Sequence, residues 1–336
     1  MQDKPKFCKE PFQNVEIHPD GVVYACCPNF SNYYKIGNIF ENSFEEVWNS
    51  DKVQELRRRI LNNDYSLCDV NGCAFCKQQD FPLDYVQTED CNVVMKKSPF
   101  VVKLCYDYEC NISCKMCRDK VKKLTDEELS EFNSKIDTFF IPLLKETGLL
   151  KVNAHGDAFG SRHTRELISK VAKTYPSLKF DFQTNGLLCN EQVFKSLNLT
   201  SEKIQVMRVS IHAATANTYS RIVNGGEKLF PILLKNLEYI AALREQTNFE
   251  FYIHFVVSAV NYKEIPAFIK LAEKYGARPY FWELFEVQYS YEPTDDDFIH
   301  RKNHPLHDEL IKVLNNPIVK EYKKNFSPVL YDMIDD

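Results

Sequence analysis

Apolar and polar positions after residue 99 follow two alternating periodicities. Short runs rich in β-branched and aromatic residues predict strands near 100–107, 149–154, 178–184, 204–212, 249–257 and 279–285. Between them, apolar residues recur at helical spacing near 125–141, 162–174, 190–197, 227–245 and 262–275, and Thr125 with Glu128 forms a capping box at the start of the first of these helices. Strands that alternate with helices predict an α/β fold with a parallel sheet.

The two faces of the predicted strands differ in polarity. One face is mainly apolar, whereas the other carries polar side chains such as Asp181, Arg208, Ser210 and His254. A closed eight-stranded barrel would fill its interior with branched apolar residues. Buried polar groups need partners, so these strands predict an incomplete barrel around a polar cofactor and substrate. We therefore predict a partial (β/α)6 TIM-like barrel.

The N-terminal region has a different pattern, which predicts a small α+β domain. Residues 15–27 alternate around Pro19-Asp20-Gly21, as in a β-hairpin, and Ser43 with Glu46 forms a capping box at the start of one amphipathic helix. The predicted organisation is an N-terminal domain over residues 1–76, a connector over 77–98, the barrel over 99–290 and a C-terminal tail over 291–336.

Composition and charge narrow the classes of function. The 336 residues include 42 Lys and Arg against 47 Asp and Glu, with a net charge of −5 and no basic stripe, so a nucleic-acid partner is not expected. No window has the roughly 18 consecutive apolar residues of a membrane span, and we expect a cytoplasmic protein. Twelve cysteines in such a chain favour metal ligation over disulfides.

Three of these cysteines form one loop directly after the first barrel strand. Cys110, Cys114 and Cys117 have the spacing Cys-x3-Cys-x2-Cys. Three thiolates can bind three irons of a [4Fe–4S] cubane and leave the fourth iron open to another ligand. A structural zinc site, the alternative, usually has four protein ligands.

This loop and the segments after the next strands resemble the radical S-adenosylmethionine (SAM) superfamily. His155-Gly156-Asp157-Ala158 stands where the family usually has Gly-Gly-Glu-Pro, and Thr184-Asn185-Gly186 is similar to its TNG turn. The resemblance implies that the open iron binds SAM and that one electron cleaves it to a 5′-deoxyadenosyl radical. That radical abstracts a hydrogen atom from the substrate.

The resemblance also implies a set of SAM contacts. Met116 is expected to pack on adenine, and Ser210 lies in the segment where a family serine meets the cofactor. Relatives carry an arginine nearer the paired glycines, so Arg221 is expected to supply that cation; a plain surface arginine is the alternative. The residues expected to contact SAM are Met116, Gly156, Asp157, Ser210 and Arg221.

The N-terminal cysteines resemble the twitch domain, a shortened SPASM domain that holds an auxiliary [4Fe–4S] cluster. The pattern is Cys-x12-Gly-x4-Cys followed by Cys-x2-Cys, with Gly21 as the glycine. Cys27 and Cys68 are alternative ligands, and a zinc knuckle is the alternative site. The resemblance implies the ligands Cys8, Cys26, Cys73 and Cys76.

Several other residues are candidates for catalysis. Cys105, on the polar face, is either a hydrogen-atom donor to a substrate radical or an inert buried thiol. His212 and His254 are candidate proton acceptors, with ordinary interior histidines as the alternative. Glu283 lies on the same predicted face, and Cys189, after the TNG turn, is expected at the surface.

These features predict a radical SAM oxidoreductase that abstracts hydrogen from a polar small-molecule or sugar-like substrate. Dehydrogenation is favoured, with the auxiliary cluster relaying an electron and flavodoxin or ferredoxin as external donor. A peptide-modifying enzyme that makes an epimer or a thioether is the alternative, and Cys105 would then be its hydrogen donor. A non-catalytic iron–sulfur electron-transfer protein is the alternative from another class.

Overall fold

The computed structural model describes residues 7–26, 34–70, 73, 76, 85–105, 107–117, 123, 125–152, 156–284 and 298–335. The chain divides into two compact units. The first unit comprises Met1–Asp107, Leu124–His155 and Lys170–Phe180; the second comprises Tyr108–Lys123, Gly156–Ser169 and Asp181–Asp336.

The first unit contains a mixed sheet in the strand order β3-β2-β1-β4-β5. The strands are β1 (Asn14–Ile17), β2 (Val22–Tyr24), β3 (Lys35–Asn38), β4 (Val101–Leu104) and β5 (Leu149–Val152). β1 and β2 form the predicted hairpin, in which Gly21 has φ +78°. β1 also pairs in parallel with β4, and β4 with β5. The hairpin therefore extends the sheet that contains β4, the first predicted barrel strand. The predicted bounds of the domains stay a prediction.

Both predicted capping boxes are present in the first unit. Ser43 and Glu46 cap one helix, and Thr125 and Glu128 cap another. The single helix predicted after Ser43 is wrong, because Asn49 ends one helix and a second begins after Ser50. The helices are α1 (Glu10–Gln13), α2 (Phe44–Trp48), α3 (Asp51–Leu61) and α4 (Asp126–Lys135); a π-helical turn (Ile136–Phe140) and a 3-10 turn (Pro142–Glu146) follow α4, and another 3-10 turn covers Thr88–Asp90.

The second unit contains the strand order β6-β7-β8-β9, with β6 entering it at Asp181. The strands are β6 (Lys179–Thr184), β7 (Ile204–Ser210), β8 (Glu250–Val257) and β9 (Arg278–Glu283). β7 pairs in parallel with β8, and β8 with β9. Along the chain lie α5 (Arg162–Thr174), α6 (Glu191–Ser196), α7 (Ala216–Ile222), α8 (Gly226–Thr247) and α9 (Ile265–Lys274), with 3-10 turns at Ser201–Lys203 and Tyr262–Glu264. Parallel strands that alternate with helices confirm the predicted α/β class.

The predicted difference between strand faces is clear in β8. Phe251, Ile253 and Phe255 are buried, whereas the alternating positions Tyr252 and His254 are half-buried. Burial of the apolar side chains supplies most of the free energy that holds such a strand against its helices. The polar positions line the opposite face, where a ligand can reach them.

The C-terminal segment is folded onto β9, although the sequence analysis treats it as a tail. Its helices are α10 (His307–Leu314), α11 (Pro317–Glu321) and α12 (Pro328–Tyr331), with a 3-10 turn at Lys323–Asn325. The ring of Phe326 stacks on that of Phe281, with centroids 4.2 Å apart. The Ser327 N–H donates to the Phe281 carbonyl oxygen at 2.8 Å. Asp295, Asp296 and Asp297 lie outside the described residues.

In the part of the chain that the structure describes, no helix is long and apolar enough to cross a bilayer.

Candidate functional site

The predicted cluster loop follows β4 and carries its three cysteines in half-exposed positions. Cys110, Cys114 and Cys117 are neither buried nor fully exposed. The Cys117 N–H donates to the Cys114 carbonyl oxygen at 3.0 Å, which closes a tight turn between these two ligands. Thiols on such a turn remain accessible to a metal cluster.

The segment after α7 anchors the cluster loop through its backbone. The Lys115 N–H donates to the Ile222 carbonyl oxygen at 2.9 Å, and the Asn224 N–H donates to the Ser113 carbonyl oxygen at 3.2 Å. These two bonds fix the loop on both sides of Cys114. The loop is therefore preorganised by the end of α7, a helix that the sequence analysis does not predict.

Asp157 holds together the segments that follow β5 and β6. Its buried Oδ1 accepts hydrogen bonds from the N–H groups of Phe159 at 3.0 Å and Gly160 at 2.8 Å. Its Oδ2 accepts from the Asn185 N–H, and the Thr184 hydroxyl lies 3.0 Å away. Burial raises the pKa of Asp157, although these four donors lower it. The carboxylate thus has a structural role, and its predicted contact with a ligand stays a prediction.

Asn185 links this network to the cluster loop. Its Nδ2 donates to Asn111 Oδ1 at 2.7 Å and lies 3.7 Å from Cys110 Sγ. An amide N–H beside a thiolate stabilises the charged form of the sulfur. By holding the Asn185 backbone, Asp157 therefore helps to position the Asn185 amide beside the Cys110 sulfur.

Gly156 is required by a close approach of two backbone segments. A Cβ atom at this position would lie 1.7 Å from the Glu109 carbonyl oxygen, far inside contact distance. The same oxygen accepts a hydrogen bond from the Asp157 N–H at 2.8 Å. Only glycine permits the segment to bond this closely to the start of the cluster loop. His155 lies outside the described residues.

A cavity of about 550 Å³ opens beside Cys110. Its lining includes three cations, Lys123, Arg162 and Arg165, and one acid, Glu109. Arg165 is held by the carbonyl oxygens of Phe159 and Gly160. The cations suit a ligand carboxylate, because guanidinium groups bind carboxylates in a bidentate manner. The remaining lining residues are Cys110, Asn111, Ile112, Ser113, Gly160, Asn224 and Leu229.

All five predicted SAM contacts, Gly156 and Asp157 included, lie outside the lining of this cavity. Arg221 is exposed on α7, while Met116 and Ser210 are half-buried. Ser210 ends β7 opposite His254 of β8. Arg162 and Arg165 were not identified as site residues from the sequence. They lie in the first turns of an amphipathic helix, where no motif distinguishes them from surface arginines.

The two predicted histidines are uncharged at neutral pH. Burial lowers the pKa of His212 to about 4, and burial together with Arg208 lowers that of His254 to about 3. His212 has φ +64°, and its Nδ1 accepts the Val256 N–H at 3.0 Å. That bond occupies the His212 lone pair, and the low pKa of His254 makes it a weak base, so the predicted role of either ring as a proton acceptor stays a prediction.

Glu283 and Cys189 occupy structural positions. The Glu283 carboxylate accepts a hydrogen bond from the Ser327 hydroxyl, which ties β9 to the C-terminal segment. Cys189 is fully buried, so its expected surface position is wrong. Burial and the charge of Asp157 raise its pKa, which leaves the thiol protonated.

Tyr219 presents a buried hydroxyl group on the side of α7 near the cluster loop. The side chain is 1% exposed, and its oxygen has no hydrogen-bond partner among the described residues. Burial and the charges of Cys114 and Cys110 raise its pKa. An orphaned donor close to two thiols fits a bound group with sulfur acceptors.

In the first unit, four cysteines lie close together. The Cys76 thiol is hydrogen-bonded to those of Cys68 and Cys73, and the pKa of Cys76 is raised to about 11, first by Cys68. Burial and the charge of Glu10 raise the pKa of Cys8, and the charges of Cys76 and Cys73 raise it further. These thiols are neutral without a metal, and a bound metal would displace their protons and give thiolate ligands.

The hydrogen bond to Cys76 places Cys68 beside the predicted ligands. Cys8, Cys73 and Cys76 are the predicted ligands that the structure brings together with Cys68. Cys26 is half-buried at the end of the hairpin, and Cys27 lies outside the described residues. The choice of Cys26 as fourth ligand stays a prediction.

Comparison with known families identifies the N-terminal region. Residues 8–77 match the SPASM family, described as an iron–sulfur cluster-binding domain. This match covers the four clustered cysteines and Cys26. It confirms the predicted SPASM-like region, and the cluster ligands stay a prediction.

One curated relative shares sequence with part of the chain. The cysteine-type anaerobic sulfatase-maturating enzyme of Clostridium novyi (strain NT) is 34% identical over 93 residues, which is 24% of this chain and 25% of that protein. The similarity thus spans a quarter of the relative's length.

Among solved structures, the chain matches SuiB of Streptococcus suis and archaeal TYW1 at low similarity. SuiB bound to S-adenosylmethionine gives a TM-score of 0.44 at 10% identity, covering 81% of this chain and 53% of that chain. SuiB bound to its precursor peptide SuiA gives 0.43 at 11% identity, covering 93% and 70%. Archaeal TYW1 gives 0.32 at 16% identity, covering 60% and 59%.

Proposed function

We propose that this chain is a radical SAM enzyme with one catalytic and one auxiliary [4Fe–4S] cluster. The observation that supports this most directly is the loop of Cys110, Cys114 and Cys117 beside a cavity with three cationic side chains. Three cysteines leave one iron of a cubane open, and the cations suit the carboxylate of an amino-acid ligand.

The residues around the loop fit such a cluster. A reduced [4Fe–4S] cluster would supply the electron that cleaves SAM into methionine and a hydrogen-abstracting radical. Arg162 and Arg165 would bind the SAM carboxylate, and Glu109 would accept a hydrogen bond from its amino group. Asn185 donates toward Cys110, and the Tyr219 hydroxyl has the burial and position to donate toward sulfur.

The favoured reaction is dehydrogenation of a polar substrate, with flavodoxin or ferredoxin as the external electron donor. The polar face of β7 and β8 supports a polar substrate, because it offers Arg208, Ser210 and His254 from half-buried positions. His254 offers an uncharged ring nitrogen to such a substrate, and its pKa of about 3 makes it a weak base, so the proton released when a substrate radical is oxidised would pass to solvent. The auxiliary cluster would accept the accompanying electron.

Anaerobic reconstitution tests this function. With dithionite and SAM, the protein should release 5′-deoxyadenosine, and it should contain roughly eight iron and eight sulfide per chain. Cys114→Ala should abolish 5′-deoxyadenosine while it keeps about four irons. Cys91→Ala, in a buried cysteine outside both sets, should leave the yield unchanged. A non-catalytic electron-transfer protein would bind iron and release no 5′-deoxyadenosine, which would refute the proposal.

A second candidate function is modification of a polypeptide. The relative from Clostridium novyi supports it, because its name assigns it to the maturation of sulfatases. For epimerisation, Cys105 would return a hydrogen atom to a peptide radical. Cys105→Ala should then stop product formation while SAM cleavage continues, whereas dehydrogenation should persist in this variant.

A further inference from the structure

A buried cluster of ionisable side chains lies in the first unit, apart from the cysteines assigned above. Glu16 is on β1, His18 follows β1 and Cys105 follows β4. β1 and β4 are parallel, so all three side chains lie at the carboxyl end of this strand pair. One ligand atom from each residue lies within 4.8 Å of the other two. Carboxyl ends of parallel strands are a common position for ligand sites.

The two oxygens of Glu16 have different surroundings. Oε1 contacts both His18 Nε2 at 2.8 Å and Cys105 Sγ at 3.4 Å. Oε2 accepts a hydrogen bond from Lys103 Nζ at 2.6 Å. Oxygen, nitrogen and sulfur thus converge on one point, while a cation holds the other oxygen.

This arrangement matches a metal site with an outer-sphere partner. Zinc binds imidazole nitrogen and carboxylate oxygen at about 2.0–2.2 Å and thiolate at about 2.3 Å, so its tetrahedral ligands lie roughly 3.3–3.8 Å apart. The observed separations of 2.8 and 3.4 Å need only small adjustments. Lys103 would orient the carboxylate, as the outer partners of metal ligands do.

The carboxylate is already ionised and oriented. Burial alone would raise the pKa of Glu16, but the charge of Lys103 and the bonds from His18 and Lys103 lower it to about 2. The His18 ring also packs against Tyr24, with centroids 4.8 Å apart. Its side chain is 13% exposed, compared with 4% for Glu16, so an ion could enter from the His18 side.

We propose that Glu16, His18 and Cys105 bind one zinc ion with an open fourth position. Metal binding replaces the thiol proton of Cys105, which goes to solvent, while the imidazole proton of His18 moves from Nε2 to Nδ1 so that Nε2 can bind the ion. Three protein ligands leave a coordination position for water or a substrate oxygen, as in catalytic rather than structural zinc sites. Zinc-bound Cys105 has no S–H bond, so this site excludes a hydrogen-donor role for that residue.

The test uses the anaerobically reconstituted protein with its full iron content, so that zinc cannot occupy the cluster sites. After one equivalent of zinc sulfate and gel filtration, elemental analysis should find about one zinc per chain. Zinc-edge X-ray absorption, which iron does not obscure, should show one sulfur at about 2.3 Å and nitrogen or oxygen at about 2.0–2.2 Å.

Matched variants separate this site from others. Cys105→Ala and His18→Ala should each lose the zinc and keep the iron, while Lys103→Met should weaken zinc binding roughly 10–100-fold. Cys91→Ala, a buried cysteine of the same unit, should keep it. The circular dichroism spectrum of Cys105→Ser, compared with that of the wild type, checks whether a substitution at this position retains the fold.

The proposal is wrong if the iron-replete protein binds no zinc, if absorption shows three or four sulfurs, or if both variants retain the metal. None of these measurements uses 5′-deoxyadenosine formation, so their outcome is independent of the radical function.

Discussion

Replacing Asp157 with asparagine tests whether this carboxylate holds the cluster loop in place or contacts a ligand. Oδ1 accepts two backbone N–H groups, from Phe159 and Gly160, whereas Oδ2 accepts one from Asn185 and the hydroxyl of Thr184. Asparagine fits best with its oxygen at the Oδ1 position. Its NH₂ group then takes the Oδ2 position and can donate to the Thr184 hydroxyl, which rotates to accept. Only the backbone N–H of Asn185 loses its acceptor.

The magnitude follows from these bonds. A buried N–H group without an acceptor costs about 1–3 kcal/mol, and each remaining bond loses about 1 kcal/mol when its acceptor is no longer charged. Relief from burying a charge offsets part of this loss. We expect Asp157→Asn to lower the free energy of unfolding by about 3 kcal/mol. Because Asn185 contacts Cys110, the loop should also bind less iron.

Urea unfolding of the cluster-free protein measures the first effect, and iron content after reconstitution measures the second. Asp137→Asn is the matched control, because Asp137 is 52% exposed in an ion pair with Lys170 and should change stability by less than about 0.5 kcal/mol. If Asp157→Asn keeps wild-type stability and iron but loses SAM affinity, the carboxylate contacts the ligand and this reasoning is wrong.

Three further predictions concern single residues. Gly156→Ala should prevent iron binding by the loop, because its Cβ would overlap the Glu109 carbonyl oxygen, whereas Gly37→Ala in the first unit, whose Cβ would meet only the Val47 side chain at 3.0 Å, should retain the loop iron. Tyr219→Phe should stabilise the cluster-free protein by about 1 kcal/mol in urea unfolding, because it removes an unpartnered buried hydroxyl; a loss of stability would reveal a partner. Glu16 has a pKa lowered from 4.5 to about 2, so its contribution of about 3 kcal/mol is complete above pH 4.5 and is lost as the pH falls toward 2. Glu16→Gln should remove that pH dependence in denaturant titrations of the cluster-free protein; an unchanged acid profile would contradict the assignment.

Local sequence signals predicted much of the fold. The turn at Pro19-Asp20-Gly21 and the capping boxes at Ser43 and Thr125 depend on neighbouring residues only, and all three are present. The strand periodicity after residue 99 was equally informative, because one face of each strand is buried. The break between α2 and α3 was missed because the apolar spacing continues across Asn49 and Ser50, which cap the two helices.

The candidate site was only partly predictable. The cysteine spacing identifies the cluster loop, because metal ligands on one loop keep their chain separation. Arg162 and Arg165 reach the cavity through the placement of α5, and no local pattern distinguishes them from surface arginines. The assignment of Asp157 to a ligand contact relied on a motif, whereas its bonds are long-range contacts to Thr184 and Asn185.

The parallel pairing of β1 with β4 has a consequence for any attempt to shorten the protein. Val101, Val102 and Leu104 are almost completely buried, and β1 satisfies the hydrogen-bonding groups along one side of their strand. A truncation that begins after residue 98 would leave that side as an open apolar edge, which is a template for aggregation. The iron–sulfur module at the N-terminus is therefore an integral structural support, and it cannot be removed as an independent attachment.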